Sequence, residues 1–195
     1  MGGVSEGGSH RVLTLILGGR ASGKSAFAEQ LAAETGGAVL YLATGIASDA
    51  EMEVRIEAHR RRRPAGWQVV EAPLELAASI PGRPSLVVLE SVDTWLGNLM
   101  EQAGGGGAAW DGPVGAGVLA RCRRELEVLN ARTEQLIAVS SELGLSAVPL
   151  TAYGRAHGQL LGELNQALAA QAGRAYLVVA GLALPLPIPG GGPER

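Results

Sequence analysis

Five short apolar runs mark the chain, at 11–17 (RVLTLIL), 38–43 (AVLYLA), 85–90 (SLVVLE), 134–140 (EQLIAVS) and 175–181 (AYLVVAG). Each is close to continuously apolar instead of alternating with polar residues, the pattern of a strand buried on both faces. The segments between them, including 24–36, 116–132 and 155–172, read as helices. Strands of this kind alternating with helices predict an α/β fold, a mostly parallel sheet with helices on both faces. A chain of 195 residues is large enough for one substantial core, and the pattern predicts a single domain over 11–182. The Gly/Pro-rich ends, 1–10 and 183–195, read as flexible tails. Within the domain, 103–117 (AGGGGAAWDGPVGAG) reads as a flexible surface loop.

Composition narrows the function classes. Hydrophobic residues make up 47% and charged residues 18%, which excludes general disorder. The formal net charge is -3, so the run Arg60 to Arg63 is a local feature and not part of a basic face, which argues against nucleic acid as partner. Cys122 is the single cysteine, so an internal disulfide and a cysteine metal cluster are both excluded, and a reducing cytoplasm is the expected location. The start MGGVSEGGSH lacks the apolar core of a signal peptide, and no apolar run is long enough to span a bilayer.

The segment GGRASGKS, residues 18–25, matches G-x-x-x-x-G-K-[ST] in full, with Gly18, Gly23, Lys24 and Ser25 at the required places. An apolar strand runs into it and a helix begins inside it, as the chemistry of a phosphate loop demands. The glycines let the backbone N–H groups of Gly18, Gly19, Arg20, Ala21, Ser22 and Gly23 converge on phosphate, and the helix N-terminus adds partial positive charge. Lys24 can reach the β and γ phosphates and Ser25 can ligate Mg²⁺. A magnesium carboxylate is expected at the end of a neighbouring strand. Glu90 directly ends the run 85–90 and is the candidate, with capping of the next helix as its other reading; Asp93 is expected to be that cap.

HRRRRPAGW, residues 59–67, places one histidine at the head of four arginines. Ser48 and Glu51 have capping-box spacing, so a helix is expected to start there and to carry Met52, Ile56 and His59 on one face. Two readings stay open on spacing alone. His59 can be the packed end of an apolar stripe, with the arginines a solvated helix end. Alternatively, neutral imidazole is a nucleophile toward phosphorus, and the guanidiniums around it hold phosphate oxygens and favour its neutral form.

The stretches ILGGRASGKSAFAE, YLATG, EMEVRIEAHRRRRPAGWQVVEAP, LVVLESVDTWLGNLM and GRAYLVVAGL occur in this order over about residues 11–182. Together they resemble the bifunctional adenosylcobinamide kinase / adenosylcobinamide-phosphate guanylyltransferase family of cobalamin synthesis. The phosphate loop is widely shared, whereas R-I-x-x-H-R-x-R-R-P-x-x-W followed by glutamate is far more specific. The resemblance implies a RecA-like P-loop fold, a homotrimer, ATP and GTP as substrates with Mg²⁺, and adenosylcobinamide and its phosphate as acceptors. It implies that His59 carries GMP covalently. It also implies nucleotide contacts from the phosphate loop, from Ala43, Thr44 and Gly45, from Arg60, Arg61, Arg62 and Arg63, and from the acids Glu71 and Glu90.

Some positions depart from the family pattern: Ser91 replaces a cysteine, Ser141 an asparagine, His157 to Gln159 the triplet FRD, and Glu163 an arginine. They leave the nucleotide chemistry intact and bear on the acceptor side. The rival readings are a guanylyltransferase without the kinase activity, and a P-loop ATPase or switch that binds a macromolecule through Arg60 to Arg63.

Overall fold

A computed structural model describes residues 12–46, 57, 60, 61 and 63–188. One seven-stranded sheet carries the fold. Its strands are β1 (Val12–Gly18), β2 (Val39–Ala43), β3 (Gln68–Glu71), β4 (Leu86–Glu90), β5 (Gln135–Ser141), β6 (Arg174–Val179) and β7 (Leu182–Pro185), in the order β3-β2-β4-β5-β1-β6-β7. All pairings are parallel except the terminal β6–β7 hairpin. The helices are α1 (Lys24–Glu34), α2 (Leu76–Ser79), α3 (Val92–Gln102), α4 (Pro113–Arg132) and α5 (Ala152–Gln171).

Because successive strand residues point to opposite faces, each strand feeds two cores. Leu13, Leu15, Leu40, Leu42 and Leu136 pack with Trp95, Leu96, Cys122, Leu129 and Leu164 from α3, α4 and α5. Ile16, Tyr41, Val88 and Val139 pack on the other face with Ala28 and Ala32 of α1. The fold class is therefore the one that the continuous apolar runs predict, and β5 stands between β1 and β4 as in a P-loop nucleotide-binding sheet.

Two strands carry little sequence signal. β3 is a short edge strand with mostly exposed residues. β7 ends in Pro185, which an edge tolerates because no partner needs its N–H. A tight turn aims β7 back at β6: Ala180 (φ 52) and Gly181 (φ 79) both take positive φ, as a two-residue hairpin loop requires. The domain limit at 182 is thus corrected. Leu186 N–H still bonds Ala175 O at 2.8 Å, and Leu186 and Ile188 pack on the core.

The loop read over 103–117 is also shorter than its composition suggests. α4 starts at Pro113, which suits a first helical turn because its missing N–H has no partner to lose. Gly105–Gly107 form a 3₁₀ turn, and Trp110 Nε1 donates to Gly105 O at 3.0 Å. Gly115 is required by packing, since a Cβ there would collide with the Trp110 carbonyl. The helix expected from Ser48, with Met52 and Ile56 on its inward face, lies outside the described residues, as do His59 and Arg62.

Candidate active site

Parallel strands bring every carboxyl end to one edge, where ligands bind in open α/β sheets. The register there is explicit. Glu71 pairs with Ala43, Ala43 with Glu90, Glu90 with Val139, and Gly18 with Ser141. Residues distant in sequence thus form one row beside the phosphate loop.

The loop's shape follows from two glycines. A Cβ on Gly18 would sit 2.5 Å from Ser22 Oγ and 2.7 Å from Val178 O, and Gly23 takes φ 96 against the Gly181 backbone. Ala21 also has positive φ, at 57. Gly181 N–H donates to Ser22 O at 2.8 Å and Glu142 N–H to Gly18 O at 3.0 Å, which ties the loop to its neighbours on both sides. α1 begins at Lys24, so its unpaired N–H groups face the loop interior. Lys24 is buried and its ammonium donates to Gly19 O at 3.3 Å.

Under the loop, Ser25 Oγ donates to Glu90 Oε1 at 2.7 Å. Glu90 Oε2 is buried without a partner. Burial pushes the Glu90 carboxyl up to about 7; the Ser25 hydrogen bond and Lys24 oppose the rise, whereas the Asp93 and Glu29 carboxylates add to it. A hydroxyl and an unsatisfied carboxylate, both hard oxygen donors, fit Mg²⁺ held jointly with substrate phosphates. The N-cap of α3 is Ser91, so capping is not the task of Glu90.

Asp93 does not cap α3 as expected. Its Oδ2 accepts from Ser141 Oγ at 2.8 Å, and its Oδ1 is buried and unpartnered. The reason is tertiary: Ser141 ends β5 beside the start of α3, and the carboxylate turns to it instead of to its own helix. His157 Nε2 lies 3.0 Å from Asp93 O, and Ser140 and Ser141 both bond Asn165, at 2.6 and 3.0 Å. Ser141 and His157, two of the departures noted above, therefore meet around one aspartate.

The segment Ala43, Thr44 and Gly45 behaves unequally. Thr44 is fully buried. Its Oγ1 accepts from Ser91 N–H at 2.8 Å and lies 3.0 and 2.9 Å from the Glu90 and Ser91 carbonyl oxygens. Its side chain therefore fixes the strand end that bears Glu90. Asn98 was not foreseen from sequence. It donates to Thr44 O at 2.8 Å and Pro73 O at 3.0 Å, holding the same corner. The available signal was an amide within the α3 stretch that carries Trp95, Leu96, Leu99 and Met100 into the core.

The described arginines diverge. Arg60 Nη2 bonds Glu71 Oε1 at 3.0 Å, so two predicted nucleotide contacts are joined at the sheet edge. Arg61 pairs with Glu57 one helical turn back, at 3.0 Å. Arg63 stacks on buried Tyr41, 4.1 Å from the ring centroid, with Trp67 alongside.

Residues 14–186 match the family described as cobinamide kinase / cobinamide phosphate guanyltransferase, CobU. The chain is 41% identical over 175 residues to the bifunctional adenosylcobalamin biosynthesis protein CobP of Pseudomonas aeruginosa, covering 88% of this chain and 95% of that one. It is 34% identical over 187 residues to CobU of Escherichia coli, covering 88% and 97%. A solved RadB recombinase aligns with TM-score 0.41 and 17% identity over 85% of this chain and 73% of its own.

Proposed function

The chain belongs to the cobinamide kinase / cobinamide phosphate guanyltransferase family, and from that premise we propose that it carries out both transfers at the sheet edge that bears Lys24, Ser25 and Glu90, with Arg60 further along the same edge beside Glu71. In the first, the terminal hydroxyl of the adenosylcobinamide side arm attacks the γ-phosphorus of a nucleoside triphosphate. An oxygen–phosphorus bond forms, the bond to the bridging oxygen breaks, and the diphosphate leaves. In the second, an imidazole nitrogen of His59 attacks the α-phosphorus of GTP and releases pyrophosphate. The cobinamide phosphate oxygen then displaces the histidine, giving adenosylcobinamide-GDP and regenerating the imidazole.

The observation that carries this reading is the Ser25–Glu90 hydrogen bond of 2.7 Å under a complete phosphate loop. Mg²⁺, when bound there, neutralises charge developing on the phosphates. The loop amides hold the triphosphate, Lys24 exchanges its bond to Gly19 O for phosphate oxygens, and Ser25 and Glu90 are its metal-side anchors. Gly45, Arg61, Arg62 and Glu71 belong to the nucleotide shell of this reading, and Arg63 serves it indirectly through the Tyr41 stack. Such an enzyme works as a homotrimer in the cytoplasm; no helix among the described residues is long and apolar enough to cross a membrane.

Incubation with GTP and Mg²⁺ should add one GMP per chain by intact mass, stable in base and lost in mild acid. His59→Ala should abolish the gain. No gain on the unmodified chain, or an equal gain on His59→Ala, rejects the covalent intermediate.

A further inference from the structure

A cavity of about 540 Å³ lies between α5 and the segment 108–111, and no phosphate-loop residue lines it. Resting on the transferase reading above, we infer that this groove seats the corrin ring of the acceptor while the ring's hydroxyl-bearing arm reaches the phosphate loop.

Its chemistry is two-sided. Trp110, Ala152, Ala156 and Leu160 give it apolar walls, and Arg155, Gln159 and Asp111 give it polar groups. A corrin is a broad apolar-faced macrocycle with amide arms around its rim. An apolar wall covers such a face, and a side-chain amide, a carboxylate and a guanidinium match rim amides, which both donate and accept.

The groove also has an apolar lip. The loop that leads into α5 exposes Leu145, Val148 and Leu150 at 84%, 76% and 97%. Three large apolar side chains so displayed in one short loop form a patch of the sort that marks a binding surface. Arg155 Nη1 donates to Pro149 O at 3.1 Å and Leu150 O at 2.8 Å, so the lip is fastened to the helix that lines the groove.

Continuity with the phosphate site selects the acceptor as occupant over an unrelated partner. The lip loop leaves β5 with Glu142 N–H bonded to Gly18 O, the first residue of the phosphate loop. Just before Gln159 on α5, His157 reaches Asp93, which is bonded to Ser141, the register partner of Gly18. The divergent triplet His157 to Gln159 thus stands between groove and phosphate loop, where an acceptor must bridge the two.

The test uses cobinamide with the full chain and two exposed-site variants, Ala152→Phe to fill the groove and Leu150→Asp to charge its lip. Each should raise the KM for cobinamide about tenfold, the factor that roughly 1.4 kcal/mol of lost binding produces. The KM for the triphosphate should stay put, and so should the GMP mass gain from GTP alone, which involves no corrinoid. Cobinamide KM values within about twofold of the unmodified chain in both variants, too little for loss of a buried anchor, overturn the assignment. Unchanged KM with altered sedimentation overturns it in favour of a contact between copies of the chain. Equilibrium dialysis of cobinamide measures the same binding without turnover: uptake by the unmodified chain and loss in both variants supports the groove, and equal binding sinks it. Failure of the transferase reading looks different, with no GMP gain and no cobinamide phosphorylation by the unmodified chain.

Discussion

Replacing Glu90 by glutamine should make the metal-free protein more stable at alkaline pH while destroying its activity. Burial holds the Glu90 carboxyl at about 7 against an ordinary value of 4.5. A group whose native pKa is raised contributes stability that is full below the unfolded value and is lost as pH rises through the native one. The apo protein therefore loses stability on this account between pH 4.5 and somewhat above 7. A rise of this size corresponds to about 3 kcal/mol at 1.36 kcal/mol per unit. Glutamine keeps the size and an oxygen for Ser25 but does not ionise, so that loss should vanish. For a domain of this length, about 3 kcal/mol is roughly a 10 °C difference in Tm. The assay is thermal unfolding in EDTA from pH 4.5 to 8.5, with the variant curve subtracted from the unmodified one so that all other titrations cancel. The difference should grow with pH in favour of Glu90→Gln and shrink when Mg²⁺ and nucleotide are added. Parallel profiles across the whole range would refute the argument, since they would mean that Glu90 ionises without cost.

Lys24→Ala and Ser25→Ala should each abolish kinase and guanylyl transfer together in the two activity assays, because the proposed mechanism uses one phosphate loop for both. Thr44→Val should cost about 1–3 kcal/mol in urea unfolding, since it leaves the buried Ser91 N–H without its acceptor. Arg63→Ala should lower stability by about 1 kcal/mol through loss of the Tyr41 stack, read by the same unfolding curves. Arg60→Ala should leave stability unchanged, because its pair with Glu71 is exposed, yet raise the GTP requirement in initial-rate measurements.

The layers and the shape of the phosphate loop were legible in the chain alone. Continuous apolar runs can be satisfied only by a sheet covered on both faces, and a phosphate loop is local: eight consecutive residues make the turn, the helix start and the cation. The place of Glu90 at the end of β4 was legible for the same reason, as the polar residue that ends an apolar run. What lay beyond local reading was every partnership between strand ends. That Ser25 meets Glu90, that Asp93 turns to Ser141 and not to its own helix, and that Thr44 locks Ser91 follow from strand order and register. Composition also misled where glycine serves packing: Gly115 admits the Trp110 carbonyl, and the stretch it belongs to is a turn and a helix start. The edge strands β3 and β7 were silent because a half-exposed edge imposes little apolar pattern. The arginine run was divided into different tasks by the fold, with Arg60 at the sheet edge and Arg63 on an aromatic ring. Neighbours in a run point in different directions, and what each one meets is set by the elements packed around it.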